Sequence, residues 1–169
     1  MVKYENGIVF NVDGNKLQVT DNHIKNAKNA IVADLANKYI QKLPHVSYKA
    51  VGINFNGFVV CKNAESLILE KFLRPGSGNF NKTQPSTLGL RFLYKLPRTK
   101  LSLNCDAGKI KRNESDEDIE GLLVKANYHM DLSEENILDE IELLTSHFPK
   151  RYSHFIRITK KILALENTK

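Results

Sequence analysis

Residues 119–131 alternate apolar and polar side chains almost without interruption. Leu122, Val124, Ala126, Tyr128 and Met130 fall on one parity, and Lys125, Asn127 and His129 on the other. A period of two over this length predicts a strand with one buried and one wet face. Such strands build antiparallel sheets; buried parallel strands read as continuous apolar runs. The pattern recurs. In Thr87–Leu96 the inward set is Leu88, Leu90, Phe92, Tyr94 and Leu96, with Arg91 and Lys95 outward. Pro97-Arg98 then turns the chain, and Leu101, Leu103 and Cys105 continue an inward face. Val46–Cys61 places Val51, Ile53, Phe55, Val59 and Cys61 together, with Tyr48, Asn54, Asn56 and Phe58 opposite. Near the N-terminus, Gly7–Val12 and Asn15–Thr20 flank Asp13-Gly14. That dipeptide signals a hairpin whose turn residues tolerate positive φ, with Ile8, Phe10, Val12, Leu17 and Val19 inward.

Between the strands the period lengthens to that of a helix. Thr20-Asp21-Asn22 offers N-caps for a helix reaching Leu43, with a stripe of Ile24, Ala27, Ile31, Leu35, Tyr39 and Leu43 before Pro44. Asn63 caps a shorter helix through Phe72 that turns Leu67, Ile68 and Phe72 inward. Ser133 caps a terminal helical segment spanning residues 133–165, kinked at Pro149 or restarting there. The expected fold is therefore a single α+β domain over residues 1–169. It has a twisted, mainly antiparallel sheet of about six strands, helices packed on one face and a long C-terminal helix kinked at Pro149.

At 169 residues the chain buries enough surface to need no staples. Cys61 and Cys105 are its only cysteines, and both fall in strand-like runs. Buried free thiols suit a reducing cytoplasm, which is the expected location. The opening Met1-Val2-Lys3-Tyr4-Glu5-Asn6 lacks the apolar core of a secretory signal, and no apolar run approaches a membrane span. The sequons at Asn81 and Asn113 then read as chance.

Charge is unevenly spread. Residues 1–113 carry 18 Lys and Arg against 7 Asp and Glu; residues 114–169 carry 7 against 12. The acids begin abruptly at Glu114-Ser115-Asp116-Glu117-Asp118, a segment expected to form a solvated loop. A chain so polarised attracts an anionic partner or pairs head-to-tail with itself. Lys16, Arg91, Lys95, Lys100 and Lys125 all fall on outward strand positions, where they form a candidate anion or nucleic-acid contact. Tyr48 and Phe58 are the aromatics expected to share that outward side. Beyond Pro149, Tyr152, Phe155, Ile156, Ile162 and Leu163 form an apolar stripe bordered by Lys150, Arg151, Arg157, Lys160 and Lys161. That stripe closes the core or docks a protein partner or a second copy.

Catalytic signatures fail on inspection. Gly76 through Thr83 approximates the phosphate-loop pattern, but Asn81 stands where glycine is required and Gln84-Pro85 blocks the following helix. His129 and Asp131 alternate on one strand face without a third ligand nearby in sequence. His147 and His154 are separated by Pro149. Asp116, Asp118 and Glu120 depart from the calcium-loop pattern, and no nucleophile elbow occurs. No catalytic, cofactor-binding or metal-binding residue is assigned, and no cofactor is expected.

Gly52-Ile53-Asn54-Phe55, Leu88-Gly89-Leu90-Arg91-Phe92 and Tyr128-His129-Met130-Asp131, leading into the terminal helix, resemble a sporadically distributed bacterial protein family of unknown function. The resemblance implies a bacterial, cytoplasmic α+β protein and brings no activity or site residue with it. The expectation is a non-catalytic binding module acting through protein–protein contacts, including self-association as a homo-oligomer. The alternative is nucleic-acid binding through the basic sheet face. A third reading is an enzyme with the 75–86 loop as lid and His129 as base.

Overall fold

In the computed structural model, which describes residues 1–23, 26–111 and 117–163, the period-two and period-3.6 segments form separate elements. These are β1 (Val2–Lys3), β2 (Ile8–Asp13), β3 (Lys16–Asp21), α1 (Val32–Gln41), β4 (Ala50–Val60), α2 (Ala64–Phe72), β5 (Leu90–Leu96), β6 (Thr99–Ile110), β7 (Ile119–Asp131), α3 (Ile137–Ser146) and α4 (Phe148–Leu163). A single 3-10 turn covers Ala27–Asn29. The fold is α+β with antiparallel strands. The strands divide between a three-stranded sheet ordered β1-β2-β3 and a four-stranded sheet ordered β4-β7-β6-β5. The expectation of one sheet of about six strands did not divide them, because alternation shows which residues of a strand face inward and not which strands pair; β1, two residues long, is too short to show alternation at all. Two compact units result, one of Met1–Ile53 with His129–Lys169 and one of Asn54–Tyr128. The division falls inside β4 and inside β7.

In the first unit, β1 pairs antiparallel with β2, and β2 with β3. Asp13 lies opposite Lys16, so the turn is Gly14-Asn15, one residue later than expected. The Asp13 carboxylate accepts the Asn15 N–H at 2.9 Å, and neither turn residue takes positive φ. That side chain, rather than left-handed backbone, shapes the turn. The Phe10 ring meets Tyr4 and, on α1, Tyr39, with centroids 6.1 and 6.2 Å apart. Ile8, Ile40, Ile141, Leu144, Phe148, Phe155 and Leu163 are buried. Asn37 on α1 and Thr145 on α3 exchange hydrogen bonds of 2.8 and 3.1 Å between their side chains.

The helices of this unit start later than their cap residues suggested. The helix expected from Thr20 begins at Val32, and Ile24 and Lys25 lie outside the described residues. Asn22, Asn26 and Asn29 explain the delay, since asparagine side chains compete for backbone hydrogen bonds and disfavour helix interiors. Ser133 does not cap α3. Its N–H donates to the Glu140 carboxylate at 2.7 Å, and the helix begins at Ile137. The terminal segment is two helices, because α3 ends before His147 and α4 restarts at Phe148. Pro149 fits the first turn of α4, where its missing N–H costs nothing.

In the second unit, β5 and β6 form a regular antiparallel pair from Leu90 opposite Cys105 to Leu96 opposite Thr99. Pro97-Arg98 makes the turn, as its sequence implies, with Arg98 at φ 59. Leu101, Leu103, Cys105, Leu122, Val124, Ala126, Tyr128 and Phe55 build a buried face. On β7 all five residues read as inward from residues 119–131 are buried. Helix α2 lies on this face, with Ile68 fully buried and the Phe72 ring 5.9 Å from Phe92.

The cap of α2 comes from elsewhere in the chain. Asn63 occupies the N-cap position with left-handed backbone and makes no side-chain cap. The Glu120 carboxylate on β7 instead accepts the N–H groups of Asn63 and Ala64 at 3.2 and 3.0 Å. A carboxylate there satisfies two orphan donors and complements the positive end of the helix dipole. Glu120→Ala is expected to lower stability by about 1 kcal/mol, the usual worth of a cap, as a shift in the urea midpoint. An unchanged midpoint would remove Glu120 from that role.

Candidate functional site

The opposite face of the strands in the second unit is wet. The register sets its composition. Arg91 lies opposite Asn104, Leu93 opposite Ser102, and Lys95 opposite Lys100. The Arg91 Nε–H donates to Ser102 Oγ at 3.4 Å across the pair. Two glycines show that the same face continues. A Cβ built on Gly89 would lie 2.8 Å from Asp106 Oδ1, and one built on Gly108 would lie 2.8 Å from Leu123. Leu123, Lys125 and Asn127 share one parity on β7, and Asn127 Nδ2–H donates to Asn54 Oδ1 on β4 at 2.6 Å. Arg91, Lys95, Lys100 and Lys125 are all exposed, as are Asn54 and Asn56. Leu93, between Arg91 and Lys95, is 70% exposed. Asp106 is the acid among these residues.

The outward parity read from the sequence therefore brings four cations onto one exposed face. The fifth, Lys16, does not join them. It belongs to the first unit, at the β2–β3 turn opposite Asp13. Strand spacing of about 4.8 Å and a rise of about 3.4 Å per residue make the patch roughly 14 Å across in each direction. Lys95 and Lys100 face one another across the β5–β6 pair, which concentrates positive charge at that end of the patch. Phe58 is half-buried, close to where a Gly121 Cβ would lie. The patch has asparagine, serine and leucine between its cations rather than a row of aromatic rings.

One signal strengthens this face beyond parity. Residues 71–105 contain seven Lys and Arg and no Asp or Glu. The split at residue 113 obscures that stretch, and it does not match the division of the fold. By sequence, the unit of Asn54–Tyr128 carries 12 basic and 8 acidic residues, and the other carries 13 and 11. The acidic residues Glu114 and Asp116 lie outside the described residues.

The terminal helix is committed to its own chain. Phe155 and Leu163 are each 4% exposed, so these two of the five stripe residues are unavailable to a partner. Tyr152 and Ile162 are half-buried, and Ile156 is 37% exposed.

The catalytic candidates do not gather into a larger cluster among the described residues. His129 Nε2 and Asp131 Oδ1 lie 2.9 Å apart at the surface. Among the described residues no group of three or more His, Cys, Asp and Glu could hold a metal ion. Burial, with smaller contributions from Asp106 and Cys61, pushes the Cys105 thiol up to about 11; burial and then Glu120 raise Cys61. Both shifts oppose the thiolate a nucleophile requires. His154 is shifted down, chiefly by burial and then by Arg157 and Arg151. A cavity of about 150 Å³ beside the α2 cap is lined by Glu65, Ala107, Gly108, Lys109 and Glu120. That is below the usual size of a small-molecule site. The loop near 76–83 forms no phosphate cradle, since a tight turn at Phe80–Thr83 stands where a helix would have to begin. No helix among the described residues is long and apolar enough to cross a membrane.

Comparison of the chain with protein-family models, curated proteins and solved structures finds no match.

Proposed function

We propose that this chain is a non-catalytic binding protein whose wet sheet face holds single-stranded nucleic acid. The observation that carries the reading is the exposure of Arg91, Lys95, Lys100 and Lys125 on one face of one sheet. Phosphates supply the counter-charge, and the neutral asparagines and serine between the cations offer donors and acceptors to bases. A single strand suits an open sheet better than a duplex, whose grooves admit a helix or a two-stranded ribbon. The free thiols support a reducing compartment, the cytoplasm.

The test is fluorescence polarisation with a labelled single-stranded oligonucleotide pool. Four phosphate contacts predict that affinity falls about 50-fold between roughly 50 and 200 mM salt. Replacing Arg91, Lys95 and Lys100 together by Ala is expected to weaken binding at least about tenfold and to reduce the magnitude of the salt slope by about 2. Salt-independent binding, or a triple variant that binds like the parent, would refute the reading.

Self-association is the second reading. Ile156, 37% exposed amid basic residues of α4, favours it. A dimer that persists at high salt in light scattering and dissociates on Ile156→Glu would support it.

A further inference from the structure

Phe80 is 78% exposed, although an aromatic ring normally seeks burial. Its backbone is tightly held. The Phe80 N–H donates to the Thr83 carbonyl at 3.0 Å, and the Thr83 N–H donates back at 2.9 Å. The two residues between them, Asn81 and Lys82, take φ 49 and 66. Positive φ at both central positions is the tightest hairpin turn, and lysine adopts it against its own preference. The stem of the loop is anchored as well. The Ser77 N–H donates to the Arg74 carbonyl at 2.9 Å, and a Gly78 Cβ would touch Leu73 and Pro85 at 3.7 Å. The ring is thus presented on a braced turn.

Phe80 lies in the acid-free stretch, with Arg74 and Lys82 nearby in sequence and both exposed. The loop leads into β5 through Gly89, which lies against Asp106 on the wet face. Five residues separate Thr83 from Gly89, a reach of at most about 22 Å. The basic face has cations but no row of exposed rings, and single-strand binders pair cations with stacking rings.

We infer that Phe80 is a stacking residue for one nucleobase of a strand whose phosphates lie on the sheet face, with Lys82 beside it for an adjoining phosphate. The inference rests on the nucleic-acid reading above. A nucleobase fits better than an apolar protein surface because the ring is single and flanked by cations.

The experiment uses a fluorescein-labelled oligodeoxythymidine of about 15 nucleotides, within the span of known single-strand sites. Phe80→Ala is expected to weaken binding about 5- to 150-fold, the range of one base stack, with an unchanged salt slope. Phe80→Tyr retains affinity. The chain has no tryptophan, so Phe80→Trp places a lone tryptophan at the site, and its emission, excited at wavelengths the tyrosines do not absorb, is expected to be quenched on binding. Heparin, a polyanion without bases, is expected to bind the parent and the Phe80→Ala variant equally. If the parent binds the oligonucleotide with steep salt dependence but Phe80→Ala binds as tightly, or Phe80→Trp is not quenched, the inference about Phe80 is overturned and the sheet-face reading survives. If the parent does not bind the oligonucleotide at low salt, both are overturned.

Discussion

Replacing Tyr128 by Ala is expected to cost about 3–5 kcal/mol of stability, the range for deleting a buried aromatic ring. Tyr128 is 0% exposed and sits on β7 between buried Ala126 and Met130. Its ring meets Phe55 edge-on, with centroids 6.0 Å apart and planes at 78°. That geometry adds roughly 0.5–1.5 kcal/mol beyond burial, which a double-mutant cycle with Phe55→Ala should recover as coupling. Tyr128→Phe keeps the ring and is expected to lose about 1 kcal/mol, the worth of a hydroxyl contact. Domains are stable by only about 5–15 kcal/mol, so the Ala variant approaches unfolding. Its denaturant midpoint should fall by at least about a fifth of the parent's. A drop no larger than that of Tyr128→Phe would mean that the ring is not a central part of the core.

Tyr128 could be placed in the core from sequence because alternation is a local property that burial enforces. β7 carries the longest such pattern, and its bounds, Ile119–Asp131, coincide with those read from the residues. The Pro97-Arg98 turn and the outward parity of Arg91, Lys95, Lys100 and Lys125 were legible for the same reason. Properties requiring distant partners were not. Glu120 caps α2 across more than fifty residues, and nothing local distinguishes it from other acids. β1 has no pattern of its own and exists because β2 offers an edge. The apolar stripe of α4 marked an amphipathic helix, but a stripe does not name its occupant; Phe155 and Leu163 prove to be buried within the chain. The fold brings the two ends of the sequence into one unit, so the charge asymmetry between its first two-thirds and its last third does not carry through to the two units. Parity placed the cations on a wet side, while the exposure of that side was settled by which face α2 covers. Phe80 lies in a loop without period, where no pattern rule announces exposure.

Gly121→Ala is expected to cost about 3 kcal/mol, at the upper end of overpacking. A Cβ there would collide with the Val59 carbonyl oxygen on β4 and come within 2.7 Å of the Phe58 ring. A side chain can rotate away, but the carbonyl belongs to the neighbouring strand, so β4 and β7 must separate to admit a methyl group. Gly108 provides the contrast. Its Cβ would meet only the end of the Leu123 side chain, at 2.8 Å, and Gly108→Ala is expected to cost less than about 1 kcal/mol. Phe58→Ala should recover little of the Gly121→Ala loss, because the ring is the lesser obstacle. Next to this contact, the Cys61 N–H donates to the Glu120 carbonyl at 3.3 Å, and the Glu120 side chain holds the start of α2. Moving β7 at residue 121 therefore draws that carboxylate from the N–H groups of Asn63 and Ala64. Once the strand has moved the cap is already lost, so Glu120→Ala and Gly121→Ala together should cost less than the sum of their separate effects. Additive losses in denaturant melts would show that the strand contact and the cap act independently, and similar costs for both glycines would show that the Val59 carbonyl is not what requires glycine at 121.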